Sequence, residues 1–146
     1  MPDFRQVTDS FWASPQIDVA DLHEAARLGC TLVINNRPEG ESDDQTDGST
    51  IEQEARKLGM NYLAIPVTHA GFSEPQVDAL VQALENNAGR VLAYCRSGTR
   101  STLLWSLAQA RLGRKPDAIA EAAAGAGYDV TPISALLDMF AASKPA

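Results

Sequence analysis

The sequence predicts an α/β fold in which a mostly parallel central sheet is flanked by helices. Three short apolar runs, 31–34, 62–65 and 91–94, are rich in strand-forming residues and bounded by turn residues, which is typical of buried strands. Helical segments alternate with these runs, and a β-α-β-α-β-α order favours parallel strands covered by helices. In such folds ligands bind at the carboxyl ends of the strands.

The first two helices are placed by their caps. A helix is predicted over 18–28 with Asp18 as its N-cap, and a second over 49–58. Gly29 and Gly59 come directly after these helices, where a left-handed C-cap residue is expected. Each glycine therefore marks a helix end.

The third helix is predicted over 73–87, where Ser73 and Gln76 have the spacing of a capping box. Before the first helix, the segments 4–7 and 11–13 predict a short hairpin at the edge of the sheet.

Three more helical segments follow the third apolar run. One continues from residue 100 to 112 and breaks at Gly113, a second begins near Pro116, and the last is opened by Thr131-Pro132 and runs through Ala142. The tail 143–146 is predicted to be frayed.

Composition limits the function classes. A chain of 146 residues with 45% hydrophobic content can bury one core, so we expect a single domain over 1–146. No apolar run is long enough to span a bilayer and no secretory leader is visible, so a cytoplasmic location is expected. A net charge of -7 argues against nucleic acid or an anionic membrane as partner. The expected partner is a small anionic substrate, and a homo-oligomer remains open.

The segment 95–101 reads Cys-Arg-Ser-Gly-Thr-Arg-Ser and lies between the third strand and a helix. Peptide N–H groups in such a turn can converge on an anion at the helix N-terminus. Those groups, the helix dipole and Arg100 all favour the thiolate form of Cys95. Arg100 is suited to grip two oxygens of a tetrahedral anion. Substrate contacts are expected from the rest of the loop: Arg96 at its rim, Ser97, Gly98, Thr99 and Ser101.

The two cysteines are interpreted differently. Nothing near Cys30 in the sequence supplies positive charge, so a buried, inert thiol is expected there. An inert core thiol at Cys95 would leave the glycine, the hydroxyls and the closing arginine unexplained. No metal is expected, because no cluster of His, Cys or carboxylate residues has ligand spacing, and no organic cofactor is implied.

The loop 91–101 resembles the active-site loops of two groups of thiol enzymes, cysteine-dependent phosphatases and rhodanese-type sulfurtransferases. The chain as a whole resembles the beta-lactamase-hydrolase-like phosphatase domain family, a bacterial group akin to dual-specificity phosphatases. That resemblance spans about residues 3–140 and rests on this loop and on 32–39, 62–67 and 122–129. It implies a dual-specificity-like, cysteine-dependent phosphatase fold. The Gly-His-Ile-Pro-Gly-Ala type segment of rhodaneses is not present.

Two features depart from that phosphatase pattern. Four residues separate Cys95 from Arg100, as in many rhodaneses, whereas such phosphatases have five. These phosphatases also carry an aspartate after the strand that ends at Ile65-Pro66, where it protonates the leaving alcohol. The matching stretch, 67–72, contains none.

A general acid would then come from elsewhere. His69 lies in the loop after the second apolar run, and Glu74 opens the third helix. The acidic region 36–48 is either a solvated loop or a flap that carries a carboxylate, such as Asp44 or Asp47, to the site.

Arg37 precedes this acidic region. It is either a second anion contact or the partner of an acidic residue in the loop that follows it.

Three functions remain open from the sequence. The first is hydrolysis of phosphate monoesters through a cysteinyl-phosphate intermediate at Cys95. The second is rhodanese-like sulfur transfer through a Cys95 persulfide, which the short loop and the missing aspartate favour. The third is a silent anion-binding or redox sensor module, which the intact Cys, Gly and Arg argue against.

Overall fold

The fold is seen in a computed structural model that describes residues 2–143. Five strands form one sheet: β1 (Arg5–Thr8), β2 (Phe11–Ser14), β3 (Cys30–Asn35), β4 (Asn61–Ala64) and β5 (Arg90–Tyr94). Their order is β1-β2-β5-β3-β4, in which β1 and β2 pair antiparallel and the other neighbours pair parallel. The mostly parallel α/β sheet is therefore confirmed.

Six α-helices connect and cover the strands: α1 (Asp21–Arg27), α2 (Gly48–Lys57), α3 (Glu74–Glu85), α4 (Thr99–Arg111), α5 (Pro116–Gly125) and α6 (Ser134–Ala142). Gly29 and Gly59 follow α1 and α2 with φ of 87° and 84°, as expected for left-handed C-caps. The capping box of Ser73 and Gln76 is present at α3, where the Ser73 N–H donates to Gln76 Oε1 at 2.9 Å.

The start of α1 was predicted wrongly. Asp18 does not cap this helix, which begins three residues later at Asp21. The carboxylate of Asp18 instead accepts a hydrogen bond from Thr46 Oγ1 at 2.8 Å, and its backbone N–H donates to Asp21 Oδ2 at 2.9 Å. Asp18 thus connects the β2–α1 segment to the acidic loop.

Two further differences concern the ends of the chain. The predicted hairpin exists, but β2 lies inside the sheet because it also pairs with β5, so that β1 alone is the edge strand on this side. The last helix is preceded by a separate 3-10 turn, Thr131–Ile133, in which Asp129 Oδ1 accepts from the Thr131 N–H at 3.0 Å. Most of the predicted frayed tail, 144–146, lies outside the described residues.

The core lies in two layers, one on each face of the sheet. Along β5 the side chains alternate: Val91 and Ala93 belong to the layer under α3–α6, whereas Leu92 and Tyr94 belong to the layer under α1 and α2. Each layer contains one tryptophan, Trp105 in the first and Trp12 in the second. Both faces of β5 are thus buried, which fits its continuous apolar sequence.

The parallel strands end at one edge and bring three loops together. The Asn36 N–H donates to Tyr94 O at 2.8 Å, and the Val67 N–H donates to Asn36 O at 2.9 Å. The segments after β3, β4 and β5 therefore meet at this edge, where the candidate residues also lie. Among residues 2–143, no helix has the length and apolar character that crossing a membrane requires.

Candidate active site

Cys95 lies at the junction of β5 and α4. Its backbone N–H donates to Ser14 O at 3.3 Å, which continues the pairing of β2 with β5. Gly98 is the N-cap of α4, and its N–H donates to Cys95 Sγ at 3.1 Å. The thiol is fully buried and faces a backbone donor at a helix N-terminus, the kind of place that favours negative charge on sulfur.

The loop needs glycine at position 98. Gly98 has φ of 88°, in the left-handed region, and a Cβ there would lie 2.1 Å from Tyr128 Oη. The Tyr128 hydroxyl donates to Ser97 O at 3.1 Å and so packs directly on the turn. Tyr128 therefore holds the loop from outside and leaves no room for a side chain at Gly98.

The other loop residues predicted to contact substrate divide into exposed and buried groups. Arg96, Ser97 and Thr99 are exposed, and the Ser97 and Thr99 hydroxyl oxygens lie 2.9 Å apart. Ser101 is buried, and its hydroxyl has no hydrogen-bond partner among residues 2–143. A buried hydroxyl without a partner beside Arg100 is a group that could serve a ligand.

Arg100 is held by a carboxylate. Its Nη1 and Nη2 donate to Glu41 Oε2 and Oε1 at 2.7 and 2.9 Å, and Nη1 also donates to Val67 O at 2.7 Å. Both side chains are mostly buried, with 14% and 16% exposed. The hydrogen bond to Arg100 is the main reason that the pKa of Glu41 falls from 4.5 to about 2. The same bond raises the pKa of Arg100, to which the charge of Cys95 also contributes.

Arg37 is the buried anchor of this pair. Its side chain is 4% exposed, and its Nε donates to Glu41 Oε1 at 2.9 Å. Its remaining nitrogens donate to Gln16 Oε1 at 3.0 Å and to Ser42 Oγ at 3.1 Å. The sequence left two roles open for Arg37, an anion contact and an ion pair with the acidic loop. In the structure Arg37 forms the ion pair.

The proposed acids lie away from these contacts. Asp44 and Asp47 are exposed; Asp44 accepts from Ser42 Oγ at 2.6 Å, which lowers its pKa, and Asp47 is at the N-cap position of α2. Glu74 pairs with Arg111 at 3.4 Å. His69 is exposed on the loop whose Val67 carbonyl binds Arg100. Among the described residues, these four side chains form no hydrogen bond to the Cys95 loop.

Two residues that lie at the site, Glu41 and Tyr128, were not singled out from the sequence. Both lie in segments that the sequence had marked, the acidic loop and the stretch 122–129. The spacing of Glu41 four residues after Arg37 was a signal for a local ion pair. Arg100 lies 59 residues from Glu41 in the chain, so no local sequence pattern predicts their ion pair.

Cys30 differs from Cys95 in its surroundings. Burial raises the pKa of the Cys30 thiol to about 11, so it is protonated near neutral pH. This fits the expected inert thiol.

A cleft of about 230 Å³ lies at the opposite end of the sheet. Its walls include Ser10, Gly89 and Arg114, and none of the candidate catalytic residues line it. The chemistry-bearing groups are therefore at the carboxyl edge and not in this cleft.

The chain is similar to several known proteins. Residues 3–112 match the family model described as "Beta-lactamase hydrolase-like protein, phosphatase-like domain". A beta-lactamase hydrolase-like protein from Xylella fastidiosa (strain Temecula1 / ATCC 700964) is 33% identical over 118 residues, which cover 80% of this chain and 27% of that protein. The chain thus spans about a quarter of the length of the curated relatives it matches.

Solved structures agree with the fold. The crystal structure of a candidate phosphatase from Neisseria meningitidis Z2491 superposes with a TM-score of 0.83 at 31% identity, covering 96% of this chain and 99% of that one. Tk-PTP in its active form superposes with a TM-score of 0.75 at 18% identity, covering 97% of each chain, and supports the fold alone. The fold is that of cysteine-type phosphatases, and the chain belongs to the family of beta-lactamase hydrolase-like protein phosphatase-like domains.

Proposed function

We propose that this chain is a cysteine-dependent phosphatase that hydrolyses phosphate monoesters with Cys95 as its nucleophile. The observation that supports the proposal most strongly is the hydrogen bond from the Gly98 N–H to Cys95 Sγ, 3.1 Å long, at the N-terminus of α4. The Gly98 amide and the N-terminus of α4 are directed at this sulfur, and the charge of Cys95 contributes to the raised pKa of Arg100. The proposed reaction uses Cys95 as the nucleophile that attacks phosphorus.

The reaction has two steps. In the first, the Cys95 thiolate attacks phosphorus, an S–P bond forms, and the P–O bond to the leaving group breaks. The loop N–H groups and Arg100 stabilise the charge on the three equatorial oxygens. In the second, water attacks the cysteinyl-phosphate, the S–P bond breaks, and inorganic phosphate leaves with the thiolate restored.

The leaving group restricts the substrates. Glu41, the carboxylate nearest to Arg100, has a pKa of about 2 and is ionised near neutral pH, so it cannot donate a proton there. His69 is the remaining candidate for the general acid, because its loop contacts Arg100 through Val67 O. Its side chain, however, forms no hydrogen bond to the Cys95 loop among the described residues. We therefore propose that the favoured substrates are monoesters whose leaving group needs little protonation, such as aryl phosphates.

A second candidate is sulfur transfer. The Cys95 thiolate would attack the sulfane sulfur of thiosulfate, sulfite would leave as the S–S bond breaks, and a thiol or cyanide would then take the sulfur. Two observations favour it: the loop from Cys95 to Arg100 is short, and the reaction needs no acid for an alcohol.

The two functions are separated by paired assays on one preparation. Wild type and Cys95→Ser are given para-nitrophenyl phosphate or, separately, thiosulfate with cyanide. We expect phosphate release by wild type and none by Cys95→Ser. Thiocyanate formation without phosphate release would replace the phosphatase by the sulfurtransferase, and phosphate release by Cys95→Ser would refute the role of Cys95.

The role of His69 is tested with leaving groups. If His69 donates the proton, His69→Gln should slow alkyl phosphates far more than para-nitrophenyl phosphate, because only the alkoxide needs protonation. Equal effects on both substrates would show that His69 is not the acid.

A further inference from the structure

The cleft at the opposite end of the sheet from Cys95 has a buried aromatic wall. The wall is formed by Phe11 and Val91, which pair at the amino ends of β2 and β5, and by Trp105 of α4. None of these three residues is more than 3% exposed. The cleft volume of about 230 Å³ lies below the range of about 300–1,000 Å³ that is typical for drug-sized ligands, so the space suits a smaller molecule.

Gln109 adds a buried amide to this wall. It lies one helical turn after Trp105 on α4 and is 9% exposed, yet its side-chain amide forms no hydrogen bond with another described residue. The indole N–H of Trp105 likewise has no partner in residues 2–143. Buried polar groups are as a rule paired, because leaving them without a partner costs stability. Since both side chains line the cleft, a molecule in the cleft could pair with them.

The other polar side chains of the wall are already used within the fold. Asn87 accepts from Thr31 Oγ1 and donates to Gly89 O, both at 2.9 Å. Thr8 Oγ1 accepts from the Ser10 N–H at 3.2 Å, and the Ser10 hydroxyl oxygen lies 3.4 Å from it. The free polar groups of the buried wall are therefore the amide and the indole.

Arg114 adds a positive charge on the solvent side of the cleft. It is exposed, lines the cleft and forms no ion pair with a carboxylate in the part of the chain that the structure describes. A turn at the end of α4 fixes its backbone: the Arg114 N–H donates to Gln109 O and the Gly113 N–H donates to Ala110 O, both at 3.0 Å. These bonds also occupy carbonyls at the helix end, so an incoming molecule meets donors there rather than free acceptors.

The free groups of the cleft are mostly hydrogen-bond donors. The indole and the guanidinium have only donors, and the amide adds further donors and a single acceptor oxygen. A matching ligand presents acceptor atoms, and the guanidinium favours one that carries a negative charge. The aromatic wall beside these groups favours a flat apolar body. We propose that the cleft binds a small aromatic carboxylate, with its carboxylate on Arg114 and the Gln109 amide and its ring beside Trp105.

This site is separate from the Cys95 loop. Val91 is near the amino end of β5 and Cys95 directly follows its carboxyl end, four residues later, which is roughly 13 Å at the rise of a parallel strand. Binding in the cleft would therefore not depend on the reaction proposed for Cys95. A ligand there would contact β5 and α4, the two elements that meet at the Cys95 loop.

The indole N–H of Trp105 is a direct reporter of binding. Isotope-labelled wild type is titrated with benzoate and, separately, with benzamide, which has the same ring without the charge, and the indole resonances are followed by NMR. Trp12 lies in the other core layer and is the internal reference, and Trp12→Phe assigns the two signals.

We expect the Trp105 indole signal to shift saturably with benzoate, with a dissociation constant at or below about 1 mM, while the Trp12 signal stays in place. Benzamide should bind at least about fivefold more weakly, because it brings no charge to the guanidinium. A Trp105 signal that does not shift, or benzamide binding as tight as that of benzoate, would overturn the carboxylate site.

Arg114→Gln tests the charge, with Lys115→Gln as its matched control. Lys115 is the next residue in the chain, is exposed and does not line the cleft. Arg114→Gln should weaken benzoate binding at least about fivefold, whereas Lys115→Gln should change it by no more than about twofold. Equal losses in both variants would reduce the effect to net charge and overturn the role of Arg114.

Gln109→Leu tests the amide, and urea unfolding shows whether the variant folds. Leucine removes a buried amide that has no protein partner, so we expect the urea midpoint to rise while benzoate binds at least about threefold more weakly. Unchanged benzoate affinity in the folded variant would overturn the role of Gln109.

Cys95→Ser separates this site from the proposed reaction. The variant should bind benzoate as tightly as the wild type does, whether or not the wild type hydrolyses phosphate esters. Loss of the benzoate-induced Trp105 shift in Cys95→Ser would overturn a site that is independent of the Cys95 loop.

Discussion

Arg100 and Arg37 illustrate how two arginines in one site can have different tasks. Arg37 is the more buried, and its hydrogen bonds all go to protein groups: Glu41, Ser42 and Gln16. Arg100 is on the helix that begins at the Cys95 loop and shares its nitrogens between Glu41 and Val67 O. Arg37 thus orders the acidic loop, and Arg100 is the arginine assigned to the substrate.

The Arg100→Lys variant tests this division. An ammonium cannot reproduce the planar fork that binds two oxygens, so kcat/KM for para-nitrophenyl phosphate should fall about 10²–10³-fold. Arg56→Lys, an exposed residue paired with Glu52 on α2, serves as the control and should leave the rate within about twofold. A rate for Arg100→Lys equal to that of the control would remove Arg100 from the mechanism.

Glu41 should also make the free energy of unfolding fall at acidic pH. Its pKa is lower in the folded chain, about 2 against 4.5, so the native state binds fewer protons than the unfolded state. The resulting stabilisation is complete above pH 4.5 and is lost as the pH falls through 2. For a side chain that is 16% exposed, we expect on the order of 2 kcal/mol.

Urea unfolding of wild type and Glu41→Gln between pH 6 and pH 3 measures this contribution. The wild type should be the more stable protein at pH 6, and the difference should stay level down to about pH 5 and then shrink toward pH 3. A difference that is constant over this range would mean that the carboxylate gains nothing from its two arginines.

The sequence predicted the centre of the site better than its surroundings. Cys95, Gly98 and Arg100 lie within six consecutive residues at the start of α4, so their proximity could be inferred from local order alone. Glu41 reaches Arg100 only because β3 and β5 are neighbours in the sheet. That adjacency depends on strand order, which the sequence did not establish, so the sequence alone gave no reason to prefer Glu41 to Asp44 or Asp47 as the acidic residue of the site.

Among the elements, the turn from β5 to α4 has the narrowest requirements. Gly98 and Gly59 have nearly equal φ values, 88° and 84°, but a Cβ at Gly98 would meet Tyr128 Oη at 2.1 Å, whereas nothing lies within 4 Å at Gly59. A side chain at Gly59 would therefore meet only backbone strain, whereas a side chain at Gly98 would meet backbone strain and a steric clash with Tyr128.

Alanine substitutions at both positions use this pairing. Gly59→Ala should cost about 1 kcal/mol, the usual penalty for a left-handed residue with a side chain. Gly98→Ala should cost at least about 2 kcal/mol, because Tyr128 must move as well, and it should lower activity. Urea unfolding and para-nitrophenyl phosphate assays of both variants provide the comparison. An equal loss in the free energy of unfolding would show that Tyr128 can move away from position 98 without cost.

Sequence spacing predicted a helix end correctly where the capping side chain bonds to residues of its own helix. Ser73 and Gln76 satisfy each other within one turn, so sequence spacing was sufficient. Asp18 failed as a cap because Thr46, 28 residues away, engages its carboxylate. Cap residues with a distant partner cannot be recognised from spacing alone.

For the whole molecule, the two core layers share one sheet and should unfold together. Trp12 and Trp105 report on different layers, and Trp105 packs on Phe11 of β2 with ring centroids 5.7 Å apart. In Trp12→Phe and in Trp105→Phe, fluorescence of the remaining tryptophan and far-UV circular dichroism should give the same urea midpoint. Midpoints that differ within one variant would divide the chain into two cooperative units.

The fold class could be predicted because its signals are redundant. β3 and β5 are buried and apolar on both faces, and a helix follows each of β3, β4 and β5. The run 62–65 was wrongly predicted as a buried strand, because β4 lies at the edge of the sheet and its residues are partly or fully exposed. The position of β2 between β1 and β5 was missed, since a four-residue strand carries too little periodicity to show whether both its edges are paired.

The most direct test of the central claim is whether phosphate becomes attached to Cys95. The wild-type chain is mixed with para-nitrophenyl phosphate, quenched in acid within the first turnover, and digested for mass spectrometry. Cys95→Ser and Cys30→Ser are treated in parallel. The proposal expects a phosphoryl group on Cys95 in the wild type and in Cys30→Ser, and none in Cys95→Ser. Release of nitrophenol with Cys95 unmodified, at a rate that Cys95→Ser retains, would contradict it.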